Sequence, residues 1–358
     1  MTVAAAGSSM GVVELFSGID SLYLSGATNA SPVALTSDLA DIRSRAPGGT
    51  TNALLDLGAA VFEVASNGFG KYRYRLDHAN GILGVTESEH LPTFRVQIRG
   101  SFLHAVGPAA AVRWWNDVLS SVATGVRLTA SRLDVCADFH GLDFEPHERE
   151  NFVCSSGSRD EYTRGGFTGW TWGAPGAMQR ARAYDKLADA QNKGLDWVRD
   201  LWGSRYQEGR SVWRVEAQCK RQVLLEYGVD TATSAIALAP GIYRSVFTNF
   251  LTLRLPGPDT NRSRWPLDER WIDVAEPSFA TGVVGIDRVR QGQRAATLRG
   301  VLPQLVGNLA SAAAALDLGL PDVCGPALID PVVGYGHSSR KSFEQRRAEK
   351  ARRMERAS

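Results

Sequence analysis

Apolar and polar residues alternate with period two over several short stretches of this chain, and between them apolar residues recur at three- and four-residue spacing. Residues 11–26, GVVELFSGIDSLYLSG, read as a strand, and 31–45, SPVALTSDLADIRSR, as a helix with Ser or Thr available as its cap. Residues 71–88 read as a hairpin turning in HANG, 93–103 as a strand, and 107–125 as a helix ended by Gly125. The next hundred residues are similar in kind, with strand 127–139, strands near 166–173 and 178–186, helix 187–203, strand 211–219 and helix 220–227. After about residue 240 the pattern turns helical; 256–271 reads as a linker rich in Pro, Arg and Trp, and 285–317 as one helix or a pair broken at Pro303. Strands separated by hairpin-length gaps and interrupted by helices predict an α+β fold. Its antiparallel β-sheet would carry helices on one face, with two related halves as one arrangement, followed by a mainly helical C-terminal region.

With 358 residues, 44% of them hydrophobic and 22% charged, the chain has the composition of a globular protein with a sizeable core. No apolar run approaches the ~20 residues that span a bilayer. MTVAAAGSSM lacks a basic n-region and reads as a disordered tail over 1–10, not a signal peptide. Four scattered cysteines with no CxxC pair argue against a zinc site or disulfide framework, and point to reduced thiols in the cytoplasm. Charge is uneven. Residues 340–358 hold eight Lys/Arg against three Glu, a balance of +5, so residues 1–339 carry −3 of the overall +2. The body is therefore not uniformly basic, and any polyanion must be met by local patches. The basic tail reads first as a solvated helix with i,i+4 pairs and second as a nucleic-acid arm.

Three strands share one pattern. In SRLDVCADFHG (131–141), Leu133, Val135, Ala137 and Phe139 alternate with Arg132, Asp134, Cys136 and Asp138. In SVWRVEAQCKR (211–221), Trp213, Val215, Ala217 and Cys219 alternate with Arg214, Glu216, Gln218 and Lys220. In RARAYDK, Ala181 and Ala183 alternate with Arg182, Tyr184 and Lys186. Each strand thus has an apolar face and a face of carboxylates and cations, one of them with a tyrosine. Taken singly, such a face is what cross-strand ion pairs on a half-exposed strand look like. If the three are neighbours, the polar faces converge. Carboxylates then suit Mg²⁺ or Mn²⁺, Arg and Lys suit phosphate oxygens, and a tyrosine whose phenolate is favoured by cations becomes a nucleophile. Asp134 and Asp138 lie roughly 13 Å apart on a regular strand, so a metal would use one of them with Glu216, leaving the other to orient an arginine or end the strand.

These segments together resemble the replication initiation factor family: the Rep_trans-type rolling-circle plasmid replication initiators and related relaxases, with an actinobacterial-like cast. RLDVCAD (132–138) matches an Arg-x-Asp strand, FTGWTWGAPGAMQRARAYDK (167–186) a Gly-rich segment leading to Tyr-Asp-Lys, and VWRVEAQCKR (212–221) an Arg-x-Glu strand. GIDSLYLSG (18–26) and FRVQIRGSFL (94–103) look like the family's N-terminal strands, and SRWPLDERW (263–271) is similar to a segment of actinobacterial members. The resemblance covers roughly residues 11–275. It implies a DNA strand-nicking and joining enzyme that cuts one strand at an origin, leaving a 5′-phosphotyrosine and a free 3′-OH, with a divalent metal. Tyr184 would be the nucleophile, Asp134, Asp138 and Glu216 the metal-ligand candidates, and Arg132, Arg182, Lys186 and Arg214 the phosphate or ion-pair residues. Where some members carry a Glu after Tyr-Asp-Lys, Asp189 stands nearby. Implied partners are double-stranded origin DNA, its nicked single strand and a helicase of the host or the element, with a homodimer left open and no membrane. The domains so read are a nicking domain over 11–240 (halves 11–125 and 126–240), a linker and accessory segment over 241–284, and a helical region over 285–358. Two alternatives stay open: a relaxase of an integrative or conjugative element with the same chemistry, and a non-catalytic DNA-binding protein of the same fold.

Other signals are weaker. The six histidines include no His-hydrophobic-His pair, which argues against the rival nicking chemistry; His140, just past Asp138, becomes a ligand if the strand bends. ASNGFGKY (65–72) ends like a P-loop but has Ala65 for the first Gly and Tyr72 for Ser/Thr, so ATPase activity is not supported. Trp170 and Trp172 in GWTWG are either a base-stacking platform or core. RWW (113–115) reads as helix packing, and KYRYR (71–75) either as a strand with one basic, backbone-contacting face or as an exposed edge.

Overall fold

A computed structural model describes residues 11–29, 32–45, 53–163 and 165–279. All of these fall within the first of two compact units, Met1–Arg288; the second, Val289–Ser358, lies outside them. The readings of a tail over 1–10, of helices over 285–317 and of the basic terminus therefore fall outside the described residues.

The first half builds β1 (Val13–Ala27), α1 (Val33–Ser44), β2 (Ala53–Asp56), β3 (Val61–Val64), β4 (Tyr74–His78), β5 (Gly81–Val85), β6 (Phe94–Ile98), α2 (Gly100–Val106) and α3 (Pro108–Val122). The second builds β7 (Arg127–His140), β8 (Phe152–Cys154), β9 (Ser158–Thr163), β10 (Gly166–Trp172), β11 (Gln179–Asp185), α4 (Lys186–Lys193), α5 (Trp197–Trp202), β12 (Trp213–Lys220), α6 (Arg221–Glu226) and α7 (Ala232–Asn249). β13 (Leu251–Leu253) and α8 (Glu269–Ala275) follow. Among the described residues eleven strands form one antiparallel sheet in the order β2-β3-β4-β5-β6-β1-β7-β12-β11-β10-β9, and β13 pairs with β8 separately. Each half places its first strand at the centre, its last long strand beside it, and the earlier ones outward in descending order. β1 and β7 meet antiparallel at the middle. The two halves therefore share one topology about a local twofold axis.

The alternation of β7 and β12 fixes which face is dry. Leu133, Val135 and Ala137 from β7 and Val215 and Ala217 from β12 are fully buried, in one core with Trp115 of α3 and Ile242, Tyr243 and Val246 of α7. α7 starts at a capping box, where the Ser234 N–H donates to Thr231 Oγ1 at 3.1 Å, and buries Ala235, Ala239, Ile242 and Val246 at helical spacing. It runs through Pro240, so the boundary set at residue 240 falls inside a helix. The segment 256–271, which composition marks as a linker, is stitched to the body. Leu255 N–H donates to the Pro266 carbonyl, Trp265 Nε1 to the Asp259 carbonyl, and the buried Trp271 Nε1 to the Phe247 carbonyl.

Two predicted elements are shorter than the pattern suggested. The strand over 93–103 gives way at Gly100 to α2, and the helix over 187–203 divides at Gly194, whose φ of +63° caps α4. α5 then lies over one end of the polar face, where Trp202 Nε1 donates to Asp138 Oδ2 at 2.8 Å. Among the described residues no helix is long and apolar enough to cross a membrane.

Candidate active site

β7, β12 and β11 are consecutive strands, so the three polar faces do converge. Register sets Tyr184 opposite Arg214 and Arg214 opposite Asp138; one step along the same face, Arg182 faces Glu216 and Glu216 faces Cys136. Tyr184 and Glu216 are thus diagonal neighbours, and the Tyr184 hydroxyl donates to Glu216 Oε2 at 3.0 Å. The Arg182 guanidinium lies 4.3 Å from the centre of the tyrosine ring and the Lys186 ammonium 5.7 Å from it. Arg182 Nη1 also approaches Glu216 Oε1 at 3.8 Å. Tyr184 is 6% exposed.

Opposite Tyr184, β10 contributes Gly169. Its φ is +140°, and a Cβ there would sit 2.1 Å from the Ala183 carbonyl oxygen and 2.6 Å from Tyr184 Cα. Glycine is what lets β10 close on β11 at the tyrosine.

The cations favour the phenolate, as the sequence suggests, but in the free protein they are outweighed. Burial pushes the Tyr184 phenol well above its usual range, Glu216 pushes the same way, and Arg214 and Arg182 only partly oppose them. The side chain is a neutral hydroxyl already paired with a carboxylate that can accept its proton.

The four predicted cations have different settings. Arg214 is fully buried and donates from Nε to Asp138 Oδ1 at 2.6 Å and from Nη2 to Asp138 Oδ2 at 2.8 Å, while Nη1 pairs with Asp20. Arg132 forks onto Asp134, with Nε to Oδ1 at 2.8 Å. Lys186 Nζ donates to Asp189 Oδ2 at 3.2 Å, and Lys193 holds the other oxygen of Asp189 at 2.6 Å. Arg182 keeps the Tyr184 ring and Glu216 as its neighbours.

Of the predicted carboxylates, Asp138 has both oxygens engaged, by Arg214 and Trp202. It orients Arg214, as Asp134, with both oxygens engaged by Arg132, orients that arginine. Asp134 and Glu216 are buried on the same face, Asp134 held by Arg132 and Glu216 by Tyr184 and Arg182. Burial pushes the Asp134 carboxyl up to about 7; the Arg132 hydrogen bond pulls against this, and Glu216 and Asp20 add to it. Among the described residues no group of three His, Cys, Asp or Glu is gathered to hold a metal ion.

His140 is fully buried, with Nδ1 2.7 Å from the Ser211 carbonyl and Nε2 accepting from Gln207 N–H at 3.1 Å, so both ring nitrogens are taken. Trp170 and Trp172 lie opposite Ala183 and Ala181, on the dry face, and are buried among Phe152, Phe144 and Trp213. They are core and offer no platform for bases; Thr171 between them is the residue of β10 that faces Arg182.

Asp20 did not stand out in the sequence. Burial raises its carboxyl, but Arg214 and Lys186 outweigh that and hold it below the usual range. Its signal is a break in alternation. Ile19 and Leu22 are both buried, which period two forbids unless a residue is inserted, and the β1–β7 register indeed shifts between Ile19 and Ser21. The bulge turns Asp20 onto the polar face.

No family model matches the chain, and no curated protein matches it. Among solved structures, the fold is similar to that of a rolling circle replication initiator protein from Geobacillus stearothermophilus, at 14% identity and a TM-score of 0.44, over 74% of this chain and 96% of that one. A likeness at that level carries no information about chemistry, which rests on the side chains.

Proposed function

We propose that this chain is a replication initiation protein that nicks one DNA strand at an origin through Tyr184. The observation that carries the reading is the pairing of a buried tyrosine hydroxyl with Glu216 at 3.0 Å, beneath Arg182 and Lys186. Glu216 takes the phenolic proton as the tyrosine oxygen attacks phosphorus. The new O–P bond forms as the P–O3′ bond breaks, leaving a 5′-phosphotyrosine and a 3′ oxygen that is protonated to the 3′-OH. Arg182 and Lys186 cover the ring in the free protein, so the incoming phosphate draws them from the ring to its oxygens. Arg214 is locked between Asp138 and Asp20 and holds β12 in position.

Asp134 and Glu216 are the residues that would hold Mg²⁺ or Mn²⁺. The two carboxylates are diagonal neighbours on β7 and β12, an ion there would take the place of Arg132 on Asp134, and Mg²⁺ commonly binds through one or two carboxylates together with substrate phosphate oxygens. When bound, the ion supplies Lewis-acid polarisation of the phosphate.

Under this reading the partners are origin DNA, its nicked strand and a separate helicase, and the protein works in the cytoplasm. A relaxase would use the same site; the DNA sequence cut distinguishes the two. The test is conversion of a supercoiled plasmid carrying the cognate origin to the open circle, with Mg²⁺ or Mn²⁺ added. A plasmid left closed by the wild-type protein would overturn the nicking reading.

A further inference from the structure

The first half of the chain carries, on the same sheet face, a counterpart of the Tyr184 site from which the reactive groups are gone. β1, β6 and β5 stand to one another as β7, β12 and β11 do. Register makes the correspondence residue by residue. Arg95 of β6 faces Ser25 of β1 and Gly84 of β5, as Arg214 of β12 faces Asp138 of β7 and Tyr184 of β11. Gln97, two positions on, faces Tyr23, as Glu216 faces Cys136. The local sequences agree: Phe94-Arg95-Val96-Gln97 matches Trp213-Arg214-Val215-Glu216. The arginine is kept, each carboxylate is replaced by a neutral group, and the tyrosine is replaced by glycine.

The space over Gly84 is filled from elsewhere. A Cβ there would lie 3.0 Å from Tyr72 Cβ and 3.1 Å from Phe69. A pocket of about 300 Å³ opens beside these residues, lined by Tyr23, Ser25, Lys71, Tyr72, Arg95 and Arg132 among others. Arg95 sits 4.5 Å from the Phe69 ring centre and 5.6 Å from that of Tyr23, and Arg132 lies 4.8 Å from Tyr23. Among the described residues, neither Arg95 nor Lys71 has an ion-pair partner, whereas Arg214 has two. The pocket is therefore a place with cation charge to spare.

It is also joined to the Tyr184 site. Arg132 lines the pocket and forks onto Asp134, which lies diagonally across the β7–β12 pair from Glu216, the partner of Tyr184. We propose that this pocket is a non-cleaving subsite for single-stranded DNA, holding a phosphate of the strand processed at Tyr184 on Arg95, Lys71 and Arg132. The proposal rests on the nicking reading for the identity of its ligand. Cations interleaved with aromatic rings on one face are how single strands are tracked, and the absence of a carboxylate opposite Arg95 leaves that arginine for phosphate.

The test uses the full chain with Tyr184→Phe, so that bound DNA is not cut, and a fluorescein-labelled single strand of about 16 nucleotides. Adding Arg95→Gln and Lys71→Gln should weaken binding about tenfold, and make the plot of log K against log salt shallower by about 1.4, at ~0.7 per lost phosphate contact. Unchanged affinity and slope would overturn the proposal, as would a duplex of the same length competing equally well. As a check free of folding effects, the unsubstituted Tyr184→Phe chain is photo-cross-linked to 5-iodouracil-substituted strands. Adducts on peptides carrying Tyr23 or Tyr72 support the subsite, and adducts confined to other peptides overturn it. The nicking reading is scored separately, by the covalent adduct of the wild-type chain. An adduct without a pocket effect sinks the subsite alone, and a pocket effect without an adduct sinks the nicking reading alone.

Discussion

Tyr184 and Glu216 sit diagonally across the β11–β12 pair, and the phenolic hydroxyl donates to Glu216 Oε2 at 3.0 Å. Glu216→Gln keeps a hydrogen-bond acceptor at that spot but cannot take the proton. Single-turnover nicking should fall by ~10²–10⁴-fold, the usual worth of a positioned general base, with the fold intact by circular dichroism. Nicking at the wild-type rate would remove Glu216 from the reaction.

The Arg214 cluster should behave as structure. Asp138→Ala leaves a fully buried guanidinium with its main partner gone, which costs roughly 3–5 kcal/mol. Asp20→Ala should cost less, because Asp20 is 24% exposed and water can replace it. Urea unfolding of the two variants checks the order; a larger loss for Asp20→Ala would contradict the arrangement.

Asp134 makes stability depend on pH. Its folded value lies near 7 against an ordinary 3.8, so folding takes up a proton between those values. The unfolded chain then binds fewer protons than the folded one, and by linkage this contribution to stability is present below about pH 4 and is lost as pH rises through 7. Asp134→Asn should flatten the decline, by an amount on the order of a few kcal/mol across the window, since each unit is worth about 1.4 kcal/mol. Unfolding free energies of the two proteins near pH 4 and pH 8 give the comparison, and parallel profiles would contradict it.

Gly169 tests how tightly the tyrosine is held. Gly169→Ala drives a Cβ into the Ala183 carbonyl and should cost at least ~2 kcal/mol while slowing nicking, because Tyr184 must shift. Gly176→Ala, at a φ of +89° with open space around it, should cost only about 1 kcal/mol and leave nicking unchanged.

Period-two alternation was enough to read β7, β11 and β12 and to say which residues share their polar face, because a register slip would bury Asp134 and Arg214 in the core. Alternation could not say which strands adjoin. That the three are consecutive depends on pairings between residues distant in sequence, such as Phe139 with Trp213. Nor could it separate Trp170 and Trp172 as core from the same residues as a platform: a tryptophan on either face has the same period, and the deciding fact is that they oppose Ala183 and Ala181. The roles of Asp134 and Asp138 diverge for a similar reason. β12, by setting Arg214 opposite Asp138, gives that carboxylate a cross-strand partner, whereas Asp134 takes Arg132 from its own strand. Residues 256–271 read as a linker because of their Pro, Arg and Trp, whereas their irregular backbone is satisfied by specific hydrogen bonds around a buried Trp271.

Everything proposed for the site depends on Tyr184 forming the bond to DNA. Incubating the protein with a single strand spanning the origin and Mg²⁺ or Mn²⁺, then digesting and sequencing the DNA-linked peptide by mass spectrometry, reads that bond directly. Attack by Tyr184 predicts a 5′-phosphodeoxynucleotide on that residue and none in Tyr184→Phe. A covalent adduct on another residue, or one that persists in Tyr184→Phe, would contradict it.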